Sequence, residues 1–212
     1  MLVGKGSLTF RTYTIAGKKP IPKLETVLEK LEQFAFTGLG GAEEGSIAGW
    51  IGPDHLYDGR FGLEKVFRGP YAVFALRIDT RKVPGPVLNA HTALEVEATL
   101  EAEGLERLGA SRRREIKQEI KHRLLEETPP AQKAYGIFWN LKARKLHLQS
   151  TSKTVNEAFR TLFERSFDCE LVPQMPGLTA ASYAREHGSL EALQDARPLE
   201  INAPKQLAAA SA

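Results

Sequence analysis

The alternation of apolar and polar residues along the chain predicts several short β-strands. Residues 7–15, SLTFRTYTI, place large apolar side chains among threonines and an arginine, which is typical of a strand. Residues 70–79, PYAVFALRID, form a continuous apolar run that indicates a central strand. Residues 134–141 and 145–149 flank a basic turn and predict a β-hairpin. Two shorter segments complete the predicted strands: Gly49–Ile51, in which Trp50 is expected to be buried, and 168–172.

Apolar residues at helical spacing predict two amphipathic helices between these strands. In residues 23–34, Leu24, Val27 and Leu31 lie on one face, together with a further leucine at position 28. Residues 154–165 repeat this pattern, and Ser152 or Thr154 is expected to cap the helix. After residue 173 the pattern weakens, and only a brief helix is predicted at 190–193.

Two longer helices are predicted in tandem between the central strand and the β-hairpin. Residues 86–108 read as an acidic helix, and residues 111–125 read as a basic one. Gly109 is expected to end the first helix and Ser111 to cap the second. The short connection favours an antiparallel helical hairpin over 86–127.

The predicted elements give the fold class and the domain organisation. Strands and helices are intermixed, so we expect an α+β fold with a mixed or largely antiparallel sheet, packed helices and a projecting antiparallel helical hairpin. The core, including the hairpin, is expected to span residues 1–172. Residues 173–212 are expected to form a partly irregular extension with a frayed, alanine-rich end.

The basic helix carries two stripes side by side. Every fourth position from Ile116 to Leu124 is apolar, and every fourth position from Arg113 to Lys121 is basic. Only two acidic residues lie in this segment, against six basic ones: Arg112, Arg113, Arg114, Lys117, Lys121 and Arg123. A helix with one buried side and one cationic side suits a polyanion. The alternative is a solvated face, or a face whose charges pair with the acidic helix before it.

Composition limits the range of functions only a little. The 212 residues are 42% apolar and 26% charged, with a net charge of +3, so the distribution of charge matters more than its sum. Cys169 is the only cysteine, which excludes a disulfide within the chain and a cysteine-based zinc site. The start of the sequence lacks the apolar core of a signal peptide, and no apolar run reaches the roughly 20 residues of a membrane span. A cytoplasmic location is expected.

Candidate catalytic chemistry is weak throughout the sequence. There is no G-x-S-x-G motif for a nucleophilic serine, and the glycine-rich loop at 37–46 lacks the GK[ST] of a phosphate-binding loop. Asp79 and Asp168 lie at the ends of predicted strands, where a metal-binding carboxylate could sit but where aspartates more often form turns. The acidic helix has no Glu-x-x-His pair for a metal. We therefore expect no catalytic residue, metal or cofactor and no enzyme activity; a nuclease or other hydrolase is the least favoured alternative.

Several short segments, taken in order, resemble one family. They are LEQFAFT at 31–37, Gly49–Ile51, RKVPGPV at 81–87, the Phe138–Trp139 strand, LVP at 171–173 and INAPKQ at 201–206. With the tandem helices, they occur in the order found in the recombination-associated protein RdgC family of bacteria. The resemblance covers roughly residues 7–206, and no member of the set is a catalytic signature.

This resemblance implies a non-enzymatic protein that binds double-stranded DNA without sequence specificity. Family members form a ring-shaped homodimer whose positively charged hole encircles the duplex, and they restrain RecA-driven strand exchange by competing for DNA. Lys205 and Gln206 match a segment that faces the DNA, and Pro129 and Pro130 match a hairpin tip that makes a dimer contact. Typical members continue beyond residue 212, so we expect a short member whose dimer is a ring or a clamp on the nucleoid.

Sequence and resemblance together give one hypothesis and one alternative. The hypothesis is a homodimer that binds duplex DNA and modulates RecA-dependent recombination, with the basic helix contacting phosphates. The expected supporting contacts are Arg81, Lys82, Lys142, Arg144, Lys205 and Gln206. The alternative is a protein-interaction or dimerisation module whose basic helix is only a solvated face.

Overall fold

The computed structural model describes residues 8–17, 20, 22–40 and 44–197. The chain divides into two compact units, Met1–Pro173 and Gln174–Ala212. The first contains β1 (Arg11–Ile15), α1 (Leu24–Gln33), β2 (Gly45–Ile51), α2 (Leu63–Val66), β3 (Phe67–Arg68), β4 (Tyr71–Arg81), α3 (Gly85–Glu103), α4 (Ala110–Glu127), β5 (Ala131–Asn140), β6 (Lys145–Leu148), α5 (Lys153–Phe167) and β7 (Leu171–Pro173). The described part of the second unit contains α6 (Pro176–Glu186) and α7 (Leu190–Gln194).

The first unit is built on one antiparallel sheet, which confirms the predicted α+β class. The strand order is β2-β4-β5-β6-β1-β7, and β3 pairs with β4 outside this path. The predicted hairpin is present, with Ile137 of β5 opposite Leu148 of β6. The predicted central strand, β4, pairs with β2 on one side and with β5 on the other.

One face of the sheet carries the main core. Side chains alternate between the two faces of a strand, so Trp50, Phe74 and Trp139 point to the same side, where α1 and α5 cover them. Trp50 is fully buried, as predicted, and its Nε1 donates to Oγ of Ser166 at 2.9 Å. Its indole packs edge-on against Phe74, with ring centroids 5.4 Å apart.

The opposite face holds a buried ion pair on β4. Arg77 donates from Nε and Nη2 to the two carboxylate oxygens of Asp79, both at 2.7 Å. The guanidinium carbon lies 4.2 Å from the ring centroid of Phe36 and 5.0 Å from that of Tyr57. Asp79 is therefore a member of a buried ion pair inside a strand, and its interpretation as a turn-former at a strand end was wrong.

Several element boundaries differ from the predictions. β2 begins at Gly45, inside the segment expected to be loop. α3 ends at Glu103 because Gly104 adopts a left-handed conformation (φ 64°) that closes the helix, five residues before Gly109. α6 was missed, because its Pro-Gly start was read as irregular chain, although proline suits the first turn of a helix. Among the described residues, no helix has the length and the apolar character required to cross a bilayer.

The capping of α4 also differs from the prediction. Gly109 is the residue that precedes the first turn, so Ser111 lies inside the helix. The Ser111 hydroxyl donates to a carboxylate oxygen of Glu115 at 3.3 Å and caps no backbone N–H. The helix ends at Glu127, just before Thr128 and the two prolines that follow it, which cannot continue a helix.

Candidate nucleic-acid interface

The helices α3 and α4 pack through a second apolar cluster, separate from the main core. Ile116, Ile120 and Leu124 of α4 are buried in it, at the four-residue spacing that predicted an apolar stripe. Leu88, Val96 and Leu100 of α3 pack against them half-buried. The two helices thus form a packed pair, whereas the antiparallel hairpin geometry stays a prediction.

The basic residues of α4 divide into two groups on either side of this apolar stripe. At 3.6 residues per turn, Arg113, Lys117 and Lys121 follow one flank, and Arg114 lies beside them. Arg112 and Arg123 lie on the other flank, which they share with Glu115 and Glu119. The single basic stripe of the sequence is therefore two surfaces of different character.

Most of the second flank is neutralised by carboxylates. Arg123 donates to Glu95 of α3 at 3.3 Å, and Arg112 donates to Glu115 of its own helix at 3.3 Å. Both pairs are exposed, so each contributes at most about 1 kcal/mol and can exchange with a phosphate. Pairing between the acidic and the basic helix, which the sequence left as an alternative, thus occurs at Arg123.

The first flank lines a cleft between the two helices. The cleft has a volume of about 510 Å³, and Ala93, Val96 and Leu100 are among its lining residues. Its cationic residues are Arg113, Arg114 and Lys117, and Glu97 is the one carboxylate among the described lining residues. Lys117 donates to the amide oxygen of Asn89 at 3.2 Å. Within the described ranges, the guanidinium groups of Arg113 and Arg114 have no hydrogen-bond or ion-pair partner.

Lys82 joins this flank through Glu44. Lys121 forms an ion pair with Glu44, and their hydrogen bond, with the charges of Lys121 and Lys82, holds the pKa of the Glu44 carboxyl below its ordinary value. Arg81 ends β4 just before Lys82. Lys121 therefore has a carboxylate partner, and Lys82 contributes to the electrostatic environment of the same carboxylate.

The other predicted contacts lie elsewhere. Lys142 and Arg144 occupy the β5–β6 turn, at the end of β5 remote from α4, roughly 30 Å away along a ten-residue strand. Arg144 has a positive φ of 54° and donates to the carbonyl of Ala16 at 3.3 Å, so its side chain supports the turn. Lys205 and Gln206 lie outside the described residues.

Pro129 and Pro130 do not lie at the connection between the paired helices. They join α4 to β5, whereas the α3–α4 connection is residues 104–109, about one helix length, roughly 27 Å, away along α4. Their placement at a hairpin tip was therefore wrong, because the fold puts them where the helix pair meets the sheet. A dimer contact through them stays a prediction.

The two aspartates at the ends of predicted strands have structural roles. Asp79 accepts two hydrogen bonds from Arg77 and lies 3.4 Å from the amide nitrogen of Gln132. Asp168 closes α5 in a left-handed conformation, φ 48°. Over the described residues, no three His, Cys, Asp or Glu side chains come close enough to hold a metal ion.

One useful residue of the cleft was not singled out from the sequence. Asn89 is the partner of Lys117, yet it lies 28 positions away on another helix. The only local signal was a polar residue one position after Leu88, beside the apolar stripe of α3. A tertiary contact of this kind requires the packing of the two helices, which the periodicity alone does not specify.

Fold and site together define an α+β protein with one antiparallel sheet and a helix pair whose cleft is cationic. Residues 9–182 match the family model RdgC, which bears the description "Putative exonuclease, RdgC". The match covers most of the 212 residues, and the chain belongs to the RdgC family. Membership supports a recombination-associated, DNA-binding role. A comparison with curated proteins finds no match.

Proposed function

We propose that this chain binds double-stranded DNA without sequence specificity, as a homodimer that forms a ring or a clamp, and modulates RecA-dependent recombination on the nucleoid. The observation that carries the proposal is the cationic cleft of Arg113, Arg114 and Lys117 in a chain of the RdgC family. Two arginines without a carboxylate partner among the described residues are available for phosphate oxygens, which guanidinium groups bind in a bidentate manner.

The two flanks of α4 are expected to contribute unequally. Arg113, Arg114 and Lys117 can meet phosphates without losing an ion pair. Lys121, Arg112 and Arg123 must first leave a glutamate, so their net gain is smaller. Such contacts follow the phosphate backbone and position the protein without reading bases, which accounts for the absence of sequence specificity.

Salt-dependent binding to duplex DNA tests this function. Each neutralised phosphate contributes about −0.9 to the slope of log affinity against log salt. Charge reversal of Arg113, Lys117 and Lys121 to glutamate should flatten this slope and weaken retardation of a duplex. Lys153→Glu is the matched control, because Lys153 is an exposed lysine of α5. Unchanged binding by the triple variant would exclude the flank, and no salt-sensitive binding by the parent would exclude the function.

The dimer and the effect on RecA need separate measurements. Solution mass with and without duplex DNA reports the assembly, and a circular duplex that retains the protein better than a linear one supports a closed ring. In RecA strand exchange, the protein should inhibit at concentrations that cover the duplex. The triple charge reversal should relieve this inhibition; inhibition that persists without duplex binding would rule out competition for DNA.

The alternative, a protein-interaction module, is favoured by the exposed apolar side chains of α3. None of its 19 residues is buried, and Leu94 is 65% exposed, with Val87 also exposed. Exposed apolar side chains mark a contact surface when they form a contiguous patch, and Val87 and Leu94 lie on the same side of α3, two helical turns apart. This alternative predicts a stable assembly with negligible duplex affinity, and it predicts that Leu94→Lys dissociates the assembly while leaving any DNA binding intact.

We propose further that the chain acts without enzymatic chemistry, although the family description names an exonuclease. The bidentate contact between Asp79 and Arg77 supports this, because a carboxylate held this way is already satisfied. Incubation of linear and plasmid DNA with Mg²⁺ or Mn²⁺ tests it. Intact DNA is expected; degradation that is lost in Asp79→Asn would establish a nuclease instead.

A further inference from the structure

Within the described residues, the face of the sheet opposite α1 and α5 carries exposed and half-exposed side chains along β5, β6 and β1. The side chains that alternate with the buried core residues of these strands are exposed or half-exposed; those core residues are Tyr13, Ile137, Trp139, Leu146 and Leu148. We call this surface the open sheet face, and it comprises Phe10, Thr12, Thr14, Phe138, Asn140, Lys145 and His147. Phe10 directly precedes β1. Neither apolar cluster of the unit includes any of these side chains.

Three aromatic rings gather on this face. Thr12, His147 and Phe138 lie opposite one another on neighbouring strands, in the order β1, β6, β5. The ring of Phe10 lies edge-on to Phe138, with centroids 5.7 Å apart, and 6.4 Å from the ring of His147. Phe10 is 39% exposed even so. A contact of 3.0 Å between Thr12 Oγ1 and His147 Nδ1 joins the imidazole to β1 and holds it on this face.

The charge of this surface suits an anionic ligand. β1, β5 and β6 contain no aspartate or glutamate, in a chain with 26 of them. Lys145 lies on the open face two residues from His147, and Lys142 is exposed in the adjoining turn. Burial, with the charge of Lys145, lowers the pKa of His147, so its ring is neutral at physiological pH.

Aromatic rings, a lysine and small hydrogen-bonding side chains on an open sheet are the composition of a surface for unpaired nucleotides. Bases stack on such rings regardless of sequence, while cations track the backbone. A docked protein could also bury aromatic rings, but protein–protein interfaces are depleted in lysine, whereas this face carries Lys145 two residues from His147. A duplex cannot use the rings, because its bases are already stacked inside the helix.

We propose that the open sheet face binds single-stranded DNA, stacking unpaired bases on Phe10 and Phe138 while Lys145 contacts a phosphate. This goes beyond the proposed duplex binding and uses different residues at the opposite end of β5 from the cleft. Both strand types occur together during recombination. A protein with both surfaces can hold a duplex and an adjoining unpaired strand at once.

Binding to oligodeoxythymidylate, followed by fluorescence anisotropy, tests the proposal. Phe10→Ala should weaken single-strand binding roughly tenfold, within the range of losing one stacked base. Phe138→Leu keeps an apolar side chain on the sheet but removes the ring, and should have a similar effect without loss of folding. Leu24→Ala is the matched control, because Leu24 is a similarly exposed apolar residue on α1, which covers the other face of the sheet. Duplex affinity should stay unchanged in all three.

A stacking readout separates this role from a merely structural one. An oligonucleotide with one 2-aminopurine should change its fluorescence on binding the parent protein, and the change should disappear in Phe10→Ala. Single-strand affinity that is unchanged in both Phe10→Ala and Phe138→Leu would overturn the proposal. Equal loss of single-strand and duplex binding, in variants that unfold at the parental temperature, would also overturn it. If the parent binds single strands through Phe10 but no duplex, the proposed duplex function fails while this inference stands.

Discussion

The Nζ atom of Lys117 lies 3.2 Å from the Oδ1 atom of Asn89, so the lysine in the middle of α4 is bound to a neutral amide. Four glutamates lie on α3 at positions 95, 97, 101 and 103, and Lys117 makes no ion pair with any of them. An amide holds the ammonium group in place without cancelling its charge. Lys117 therefore remains available to a phosphate while its side chain is already positioned at the rim of the cleft.

Neutralising Lys117 should reduce the salt dependence of duplex binding by the contribution of about one phosphate contact. In Lys117→Gln, the slope of log affinity against log salt should fall in magnitude by roughly 0.9. Lys153→Gln removes one exposed lysine on α5 and should leave the slope unchanged. Equal slopes in the two variants would show that Lys117 does not contact DNA.

Placing a carboxylate beside Lys117 should weaken duplex binding without removing any cation. Asn89→Asp converts the neutral partner into an ion-pair partner and adds negative charge to the cleft. Affinity at low salt should fall, and the difference from the parent should shrink as salt screens the new charge. Thr92→Val, another change in the lining of the cleft, is the uncharged control. A difference that does not depend on salt would indicate a packing effect instead.

Replacing Gly49 by alanine should destabilise the fold. A Cβ at this position would lie 2.7 Å from the backbone nitrogen of Phe36, in a segment fixed by bonds from Phe36 N to Trp50 O and from Trp50 N to Phe34 O. Because backbone must move, Gly49→Ala should lower the free energy of unfolding by about 1–3 kcal/mol, as overpacking does. Gly45→Ala, in the same strand with open space around it, is the control and should change stability far less. Denaturant unfolding compares the two.

Local periodicity predicted those parts of the fold that depend on one segment at a time. The buried stripe of α4 follows from Ile116, Ile120 and Leu124, because a helix places every fourth residue on the same side. The β5–β6 hairpin follows from two apolar runs joined by a short turn. In both cases the pattern and its structural consequence lie within a few residues of each other.

The parts that could not be predicted depend on residues far apart in the chain. Arg77 and Asp79 lie in an apolar run, and nothing local shows that Phe36 and Tyr57 stack on the guanidinium. Likewise, Lys142 is far from α4 because the ten-residue strand β5 leads away from that helix. The number of basic residues in the sequence contains no information on this distance. The cationic helix could therefore be identified from the sequence. Which of its basic side chains pair with glutamates depends on tertiary packing.

Protonation of Asp58 should account for part of the stability that the protein loses in acid. Burial alone would raise the pKa of this carboxyl, but hydrogen bonds from Lys65 and from the backbone N–H groups of Asp54 and Arg60 outweigh it and hold the pKa below its ordinary value of 3.8. A depressed pKa in the folded state adds stability above the unfolded value, and this stability is lost as pH falls below about 3.8.

Asp58→Asn tests this pH dependence. The variant should be less stable than the parent at neutral pH and should lose less of its unfolding free energy between neutral pH and pH 3. Asp54→Asn is the matched control, because Asp54 contacts the same lysine at 3.8 Å from a half-exposed position, where an ion pair contributes little. Parallel pH profiles for Asp58→Asn and the parent would contradict the assignment.

Removing one partner of the Arg77–Asp79 pair should be among the most damaging single changes in the sheet. Both side chains are buried, so Asp79→Ala would leave a guanidinium uncompensated, at a cost of about 3–5 kcal/mol in unfolding free energy. Asp79→Asn keeps hydrogen-bond acceptance toward Arg77 and should cost less. The double variant Arg77→Met with Asp79→Ala removes the charge as well as its partner, so it should recover part of the loss of Asp79→Ala alone. Chemical denaturation of the three variants measures this coupling. If the double variant is no more stable than Asp79→Ala, the loss arises from the emptied space and not from the unpaired charge.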